Sequence, residues 1–252
     1  MTLHVNNSYY NSRIGISQAV SIKSFPFFKG NKNSCVTGDT FTTNAELAPF
    51  ISEAAIKGMI NTNPRITKIL KEHGINNVKI NTKELNKLAN GHLKVTKNVA
   101  AGIINNLTEE TKASINKQAV LQAAMFHDFG KVLIPEKILN KNCCLNPQEK
   151  TIMELHSELG YELLKNQNLS PKALELVKYH HQNAENTGYP TNIDNFEYDL
   201  ETEILALADK FSALTEQRCY KNGMTNSEAL EIIKAEHNPS PALEALTKFV
   251  EA

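Results

Sequence analysis

The chain of 252 residues is poor in cysteine, in net charge and in long apolar runs. Its four cysteines are Cys35, Cys143, Cys144 and Cys219, and no two form a C-x-x-C pair. That pattern supports neither a disulfide framework nor a thiolate zinc site; reduced cytosolic thiols are the plainer reading. Lys plus Arg and Asp plus Glu balance at 27 each, so the formal net charge is zero. No broad positive field is there to draw in a nucleic-acid polymer. No apolar run approaches the roughly 20 residues that a membrane-spanning helix needs, so no membrane association is expected. The first residues lack a basic stretch followed by an apolar one, so no secretory signal is expected and the expected compartment is the cytoplasm. Period-two alternation, the mark of half-buried strands, is nearly missing.

What is present is helical. Hydrophobic residues make up 41% and charged residues 21%, which suits a globular core. Residues 1–43 are rich in Asn, Ser, Thr, Lys and Gly and are expected to form a mostly disordered tail, with one short aromatic patch at Phe25-Pro26-Phe27-Phe28. Residues 44–75 are expected to form a short helical segment with helices over 45–59 and 66–72. Pro64 stands near the start of the second and Gly74 just past its end. Residues 76–252 are expected to form one all-α domain. In it, Asn81 and Glu84 mark a helix start. Leu85, Leu88, Ala89, His92, Val95, Val99 and Ile103 then recur at steps of three and four, which predicts one helix with His92 on its buried face. A second helix is expected over 117–129, stopped by Gly130, with His127 and Asp128 at its end. Later helices start near Pro147, Ser170-Pro171, Asp199, Asn226 and Pro241.

The eight histidines are His4, His73, His92, His127, His156, His180, His181 and His237. His92, His127, His156, His180 and His181 fall on or at the ends of helices, several on the apolar side. Asp128 adjoins one of them, and Asp209 shares an apolar face with Leu205 and Ala208. A buried imidazole or carboxylate is costly unless paired or bound to a cation. Any one of these residues alone reads as a satisfied core residue. Several converging from four or five helices read as a metal site in a bundle core. Imidazole with carboxylate suits iron, manganese or zinc. Neighbours in sequence such as His127 and Asp128 cannot share a helical face, but both can reach a metal pair from a helix end. There Asp128 would bridge two cations, and Lys131 would be a free cation able to neutralise a phosphate oxygen.

These residues form a family pattern. His127-Asp128-Phe129-Gly130-Lys131 resembles the HD-x-G-K signature of the HD superfamily of metal-dependent phosphohydrolases. The segment 132–141, His156-Ser157-Glu158-Leu159-Gly160, the pair His180-His181, Gly188-Tyr189-Pro190 and the helix around Ala208-Asp209-Lys210 resemble successive motifs of its HD-GYP subfamily. The resemblance covers about residues 82–235. It implies an HD-domain helical bundle that holds divalent metals, usually iron or manganese, and hydrolyses cyclic di-GMP. It also implies that His92, His127, Asp128, His156, His180, His181 and Asp209 are the metal ligands. By the same resemblance Asp128 and Lys131 are catalytic, and Lys131, Gly188, Tyr189, Pro190 and Arg218 contact substrate.

The sequence also departs from that pattern. The glutamate that three-metal members carry one turn before the first histidine is Leu88, so two divalent metal ions are expected. The Glu after the paired histidines is Gln182, and the Trp-Asp-Gly before the GYP loop is Ala184-Glu185-Asn186. A second Asp of the last-ligand helix is Ser212, and Glu203 stands where the family commonly has Arg. The expected activity is therefore a two-metal phosphodiesterase acting on a cyclic dinucleotide such as cyclic di-GMP. The alternatives are an HD phosphohydrolase acting on another nucleotide or phosphate ester, or a catalytically silent metal-binding signalling module. A protein partner would act through residues 1–75.

Overall fold

The structure is a computed structural model, which describes residues 52–193, 195–216 and 223–252, the side chains of residues 88 and 89 excepted. The expected tail, residues 44–51 and Arg218 lie outside the described residues.

Every extended element among the described residues is helical. Two short helices come first, α1 (Glu53–Thr62) and α2 (Pro64–Glu72). Ser52 caps α1, and Asn63 caps α2 with Pro64 as its first residue, where a missing N–H costs nothing. Then follow α3 (Thr82–Asn90), α4 (His92–Asn106), α5 (Glu109–Ser114) and α6 (Lys117–Phe126). A 3-10 turn (Phe129–Leu133) and α7 (Glu136–Leu139) lead into the long α8 (Pro147–Leu164). The chain closes with α9 (Pro171–Tyr179), α10 (Leu200–Thr215), α11 (Asn226–Glu236) and α12 (Pro241–Glu251).

Most starts are set by local chemistry. Asn146 and Glu149 complete a reciprocal capping box at α8, and Thr225 and Glu228 another at α11. Ser170, Asp199 and Ser240 cap α9, α10 and α12.

The first helix ends at Thr62 and the second begins at Pro64, rather than at the expected 59 and 66. Two boundaries near the clustered histidines also differ from the sequence expectation. The single helix expected from Asn81 onward breaks at Gly91, whose φ of −121° and ψ of −99° are not helical. His92 becomes the first residue of α4. Its buried face then carries Thr96, Val99, Ala100 and Ile103, while Val95 turns outward at 40% exposure. The other helix ends at Phe126 rather than at 129, because Asp128 has φ −91° and ψ 4°, and the chain tightens into the 3-10 turn.

The bundle is built by α4, α6, α8, α9 and α10. Helix α4 packs on α6, α10 and α12, α9 packs on α6 and α8, and the 3-10 turn packs on α8. Ile103, Val120, Leu159, Leu176 and Leu205 from these five helices are fully buried. The pair α1 and α2 lies on α8. There Asn63 Nδ2 donates to the Glu162 carbonyl at 2.8 Å and to its carboxylate at 2.7 Å. Among the described residues no helix is long and apolar enough to cross a membrane, and Cys143 and Cys144 are exposed and unbridged.

Candidate metal centre

Five pieces of chain deliver donors to one place. Helix α4 brings His92 at its first residue, His127 and Asp128 directly follow α6, and α8 brings His156 from its middle. His180 and His181 directly follow α9, and α10 supplies Asp209. His127, Asp128, His156 and His180 are buried, while His181 and Asp209 are partly exposed.

Backbone contact sets this convergence. A β-carbon on Gly160 would lie 3.3 Å from Gly130 N and 3.7 Å from the His127 carbonyl oxygen. Gly160 follows His156 by one helical turn, so one face of α8 presents both the imidazole and the gap that the turn after Asp128 enters. Gly130 therefore serves close approach to α8; α6 has already ended before it.

The donors fall into two separate groups, linked by a third made of His127, Asp128 and His180. His92, His127 and Asp209 form one, and His156, His180 and His181 form the other, with donor atoms within 4.8 Å of one another in each. Asp128 lies between them. Its Oδ1 is 3.3 Å from His156 Nε2, while its Oδ2 is 3.7 Å from His92 Nε2 and 3.6 Å from His127 Nε2. His92 Nε2 is 2.9 Å from Asp209 Oδ1, and His127 Nε2 is 3.5 Å from the same oxygen. Neighbouring ligands on one cation, with bonds of about 2.1 Å, stand about 3.0–3.5 Å apart, close to the 2.9–3.7 Å found here.

The proton arrangement fits a cation as well. His127 Nδ1 faces the Ala124 carbonyl at 3.1 Å, and His156 and His180 Nδ1 face the Met153 and Val177 carbonyls at 2.8 Å each. A carbonyl only accepts, so each Nδ1 carries the proton and each neutral ring turns a lone pair inward at Nε2. His156 Nε2 and His180 Nε2 then face each other at 3.2 Å, and His127 Nε2 is buried with no hydrogen-bond partner. Lone pairs aimed at one another repel unless a cation sits among them.

Electrostatics keeps His156, His180, Asp128 and Asp209 in their binding forms, and His127 is the exception. Burial pushes His156 down to about 4, against the pull of Asp128, and holds His180 well below its ordinary value, helped by His181. Burial alone would also lower His127, but the Asp128 and Asp209 charges outweigh it and raise it. Burial works to raise the Asp128 carboxyl, yet Lys131 and the surrounding imidazoles hold it well below the usual carboxylate range. Asp209 is likewise held low, by His127 and His92.

Lys131 differs from expectation. Its Nζ is 2.7 Å from Asp128 Oδ2, so it is paired to the central carboxylate rather than a free cation. Glu203 is engaged by Ser240 at the start of α12. Ser212 is buried and bonds Thr96 at 2.6 Å, which clasps α10 to α4.

The altered loop remains ordered around the centre. Gly188 N donates to Gln182 Oε1 at 3.1 Å, and Gln182 Nε2 donates to the Pro190 carbonyl at 2.7 Å. A β-carbon on Gly188 would stand 2.0 Å from the His181 carbonyl oxygen. The loop thereby lays the Tyr189 ring 4.4 Å from that of His181 and 6.0 Å from that of His156. Asn186, where the family has glycine, adopts φ 56°, a left-handed conformation that asparagine tolerates. The sequence reading missed both the two-sided grip of Gln182 and Glu216, whose carboxylate is 3.8 Å from His92 Nδ1. Nothing local in the sequence signals either contact.

Residues 77–239 match the HD domain family. A "3'3'-cGAMP-specific phosphodiesterase 2" of Vibrio cholerae is 35% identical over 119 residues, which cover 46% of this chain and 23% of that protein. A "Cyclic di-GMP phosphodiesterase" of Thermotoga maritima is 35% identical over 115 residues, which cover 45% of this chain and 31% of that protein. The match thus spans about a quarter to a third of these curated relatives' length. A solved HDG"Y"P protein from Bdellovibrio bacteriovorus superposes with a TM-score of 0.52 at 14% identity, covering 83% of this chain and 68% of that one, a likeness of fold.

Proposed function

The chain belongs to the HD domain family, in its HD-GYP branch, and from that premise we propose that it is a metal-dependent phosphodiesterase acting on a cyclic dinucleotide such as cyclic di-GMP. The observation that carries the reading is the position of Asp128. One of its oxygens faces His156 and the other faces His92 and His127, so a single carboxylate serves both donor groups.

In this proposal His92, His127 and Asp209 hold one divalent ion, His156, His180 and His181 hold the other, and Asp128 joins them. Imidazole and carboxylate without thiolate suit iron or manganese. Bound there, two cations would acidify a water and offset charge on a phosphoryl group.

The chain's own groups do the rest. The back-bonded imidazoles of His156 and His180, whose pKa values burial lowers, keep Nε2 unprotonated at neutral pH. Asp128 stays ionised. Lys131, 21% exposed, holds Asp128 in place and lends positive charge where phosphoryl oxygens would gather. Tyr189 and the backbone of Gly188 and Pro190 line the rim, where the tyrosine ring offers a stacking face to a base. Arg218 remains part of the proposed substrate contacts. A protein partner acting through residues 1–75 also belongs to this proposal, since α1 and α2 rest on the helix that carries His156. A different phosphate ester is the second reading, favoured by Ala184-Glu185-Asn186 standing in place of Trp-Asp-Gly.

The test is metal analysis of the purified chain together with turnover of cyclic di-GMP, 3'3'-cGAMP and bis-p-nitrophenyl phosphate, beside Asp128→Ala. Metal in the parent, hydrolysis of a cyclic dinucleotide and loss of both in the variant are expected. Full metal and activity in Asp128→Ala would overturn the reading. Turnover of the generic ester alone would move the assignment to the second one.

A further inference from the structure

Three of the clustered imidazoles are oriented in the same way. His127, His156 and His180 each give the Nδ1 proton to the carbonyl three residues back, at 3.1, 2.8 and 2.8 Å. Such a bond needs helical chain before the histidine. His92 lacks an unbroken run, because Gly91 leaves the helix between α3 and α4 and His92 is the first residue of α4.

The consequence is visible at the nitrogen itself. His92 is 5% exposed, and its Nδ1 is buried without a hydrogen-bond partner. A carboxylate approaches that nitrogen from another element. Glu216, the residue that ends α10, places Oε2 3.8 Å from His92 Nδ1. Its other oxygen lies over Gly91, 3.4 Å from where a β-carbon there would stand. Asp209 and Glu216 are seven residues apart, two turns of one helix. The end of α10 thus addresses both nitrogens of a single imidazole, Asp209 at Nε2 and Glu216 at Nδ1.

We propose that Glu216 is the positioning residue for His92, taking the place of the carbonyl that orients the other three histidines. Its carboxylate accepts the Nδ1 proton. That leaves the Nε2 lone pair toward Asp209 and Asp128 and makes the ring a stronger donor. The 3.8 Å separation lies just beyond hydrogen-bond length. The inference rests on the metal-centre reading above.

The experiment is Mn²⁺ titration of the chelator-stripped full chain by calorimetry, with metal-free thermal melts as a control. Parent, Glu216→Ala, Glu216→Gln, Glu216→Asp, His92→Ala and Asp128→Ala are compared. Glu216→Ala should weaken one of the two binding steps by about 10- to 100-fold and leave the other alone. Glu216→Gln keeps an acceptor oxygen and should recover most of that loss. Glu216→Asp, one methylene shorter, should resemble alanine while folding like the parent, which keeps the test alive if alanine does not fold. Parent-like affinity in Glu216→Ala, or in Glu216→Asp, beside a lost step in His92→Ala overturns the role of Glu216 and spares the metal centre. Parent-like binding in both His92→Ala and Asp128→Ala overturns both.

Discussion

A β-carbon on Gly130 would stand 2.0 Å from the carbonyl oxygen of His156 and 2.6 Å from the backbone nitrogen of Gly160. Backbone meets backbone there, so no side-chain adjustment can make room. The contact holds the turn after Asp128 against the helix that supplies His156, and so sets the spacing between the two donor groups.

Gly130→Ala must push α8 away from the turn. Overpacking of this kind costs about 3 kcal/mol, which for a chain of this size lowers Tm by roughly 6–12 °C. The displacement also separates Asp128 from His156, so the variant should lose Mn²⁺ affinity beyond its loss of stability. A melt and a titration on the same sample check this; parent-like values in both would show that the two backbones can part without cost.

The two donor groups should empty independently. His181→Ala removes a partly exposed ligand from one group and is expected to lower bound Mn²⁺ by about one equivalent, as measured by elemental analysis. His92→Ala should remove the other equivalent. Asp128→Ala, which touches both groups, should remove both. A chain that loses both ions in His181→Ala would mean that the groups fill only together.

Gln182 grips the GYP loop by accepting from Gly188 and donating to Pro190. An amide does both, whereas an ionised carboxylate only accepts. Gln182→Glu keeps the first bond and sets a carboxylate against the Pro190 carbonyl oxygen, a loss of about 2 kcal/mol. Amide exchange at Gly188 should quicken about thirtyfold. For a cyclic dinucleotide substrate, KM should rise more than kcat falls. Unchanged exchange would show that the loop is held by other contacts.

His237 provides a pH dependence outside the centre. Lys210 Nζ is 3.1 Å from His237 Nε2, and burial first, then the lysine charge, pushes His237 from 6.5 down to about 4. The unfolded chain therefore binds more protons than the folded chain between those values, and stability falls as pH drops from about 6.5 to 4. The contribution is fully present above 6.5. His237→Gln should flatten this part of a Tm-against-pH curve relative to the parent. Parallel curves would remove His237 as a cause.

Helix starts were legible because their causes are local. Pro147, the Ser170-Pro171 pair and Asp199 lie within four residues of the N–H groups they help to satisfy or spare, and the structure places helices there. The all-α class followed from the period of the apolar residues. The break at Gly91 was not legible, since the apolar spacing continues across it and only the packed core shows that Val95 faces outward. Lys131 looked like a free cation in the sequence; its pairing with Asp128 depends on how the chain bends after α6.

By itself the sequence determined which donors exist, in what order, and on which helical faces they stand, because those properties depend on residue type and on a period of a few residues. Only the tertiary structure decided which donors meet. His92 and Asp209 are 117 positions apart in the chain and 2.9 Å apart in space. Glycines 130 and 160 decide how near the elements come, and Glu216 reaches His92 only because α10 ends beside the start of α4. Such distances arise from the packing of whole helices, which no short stretch of residues encodes.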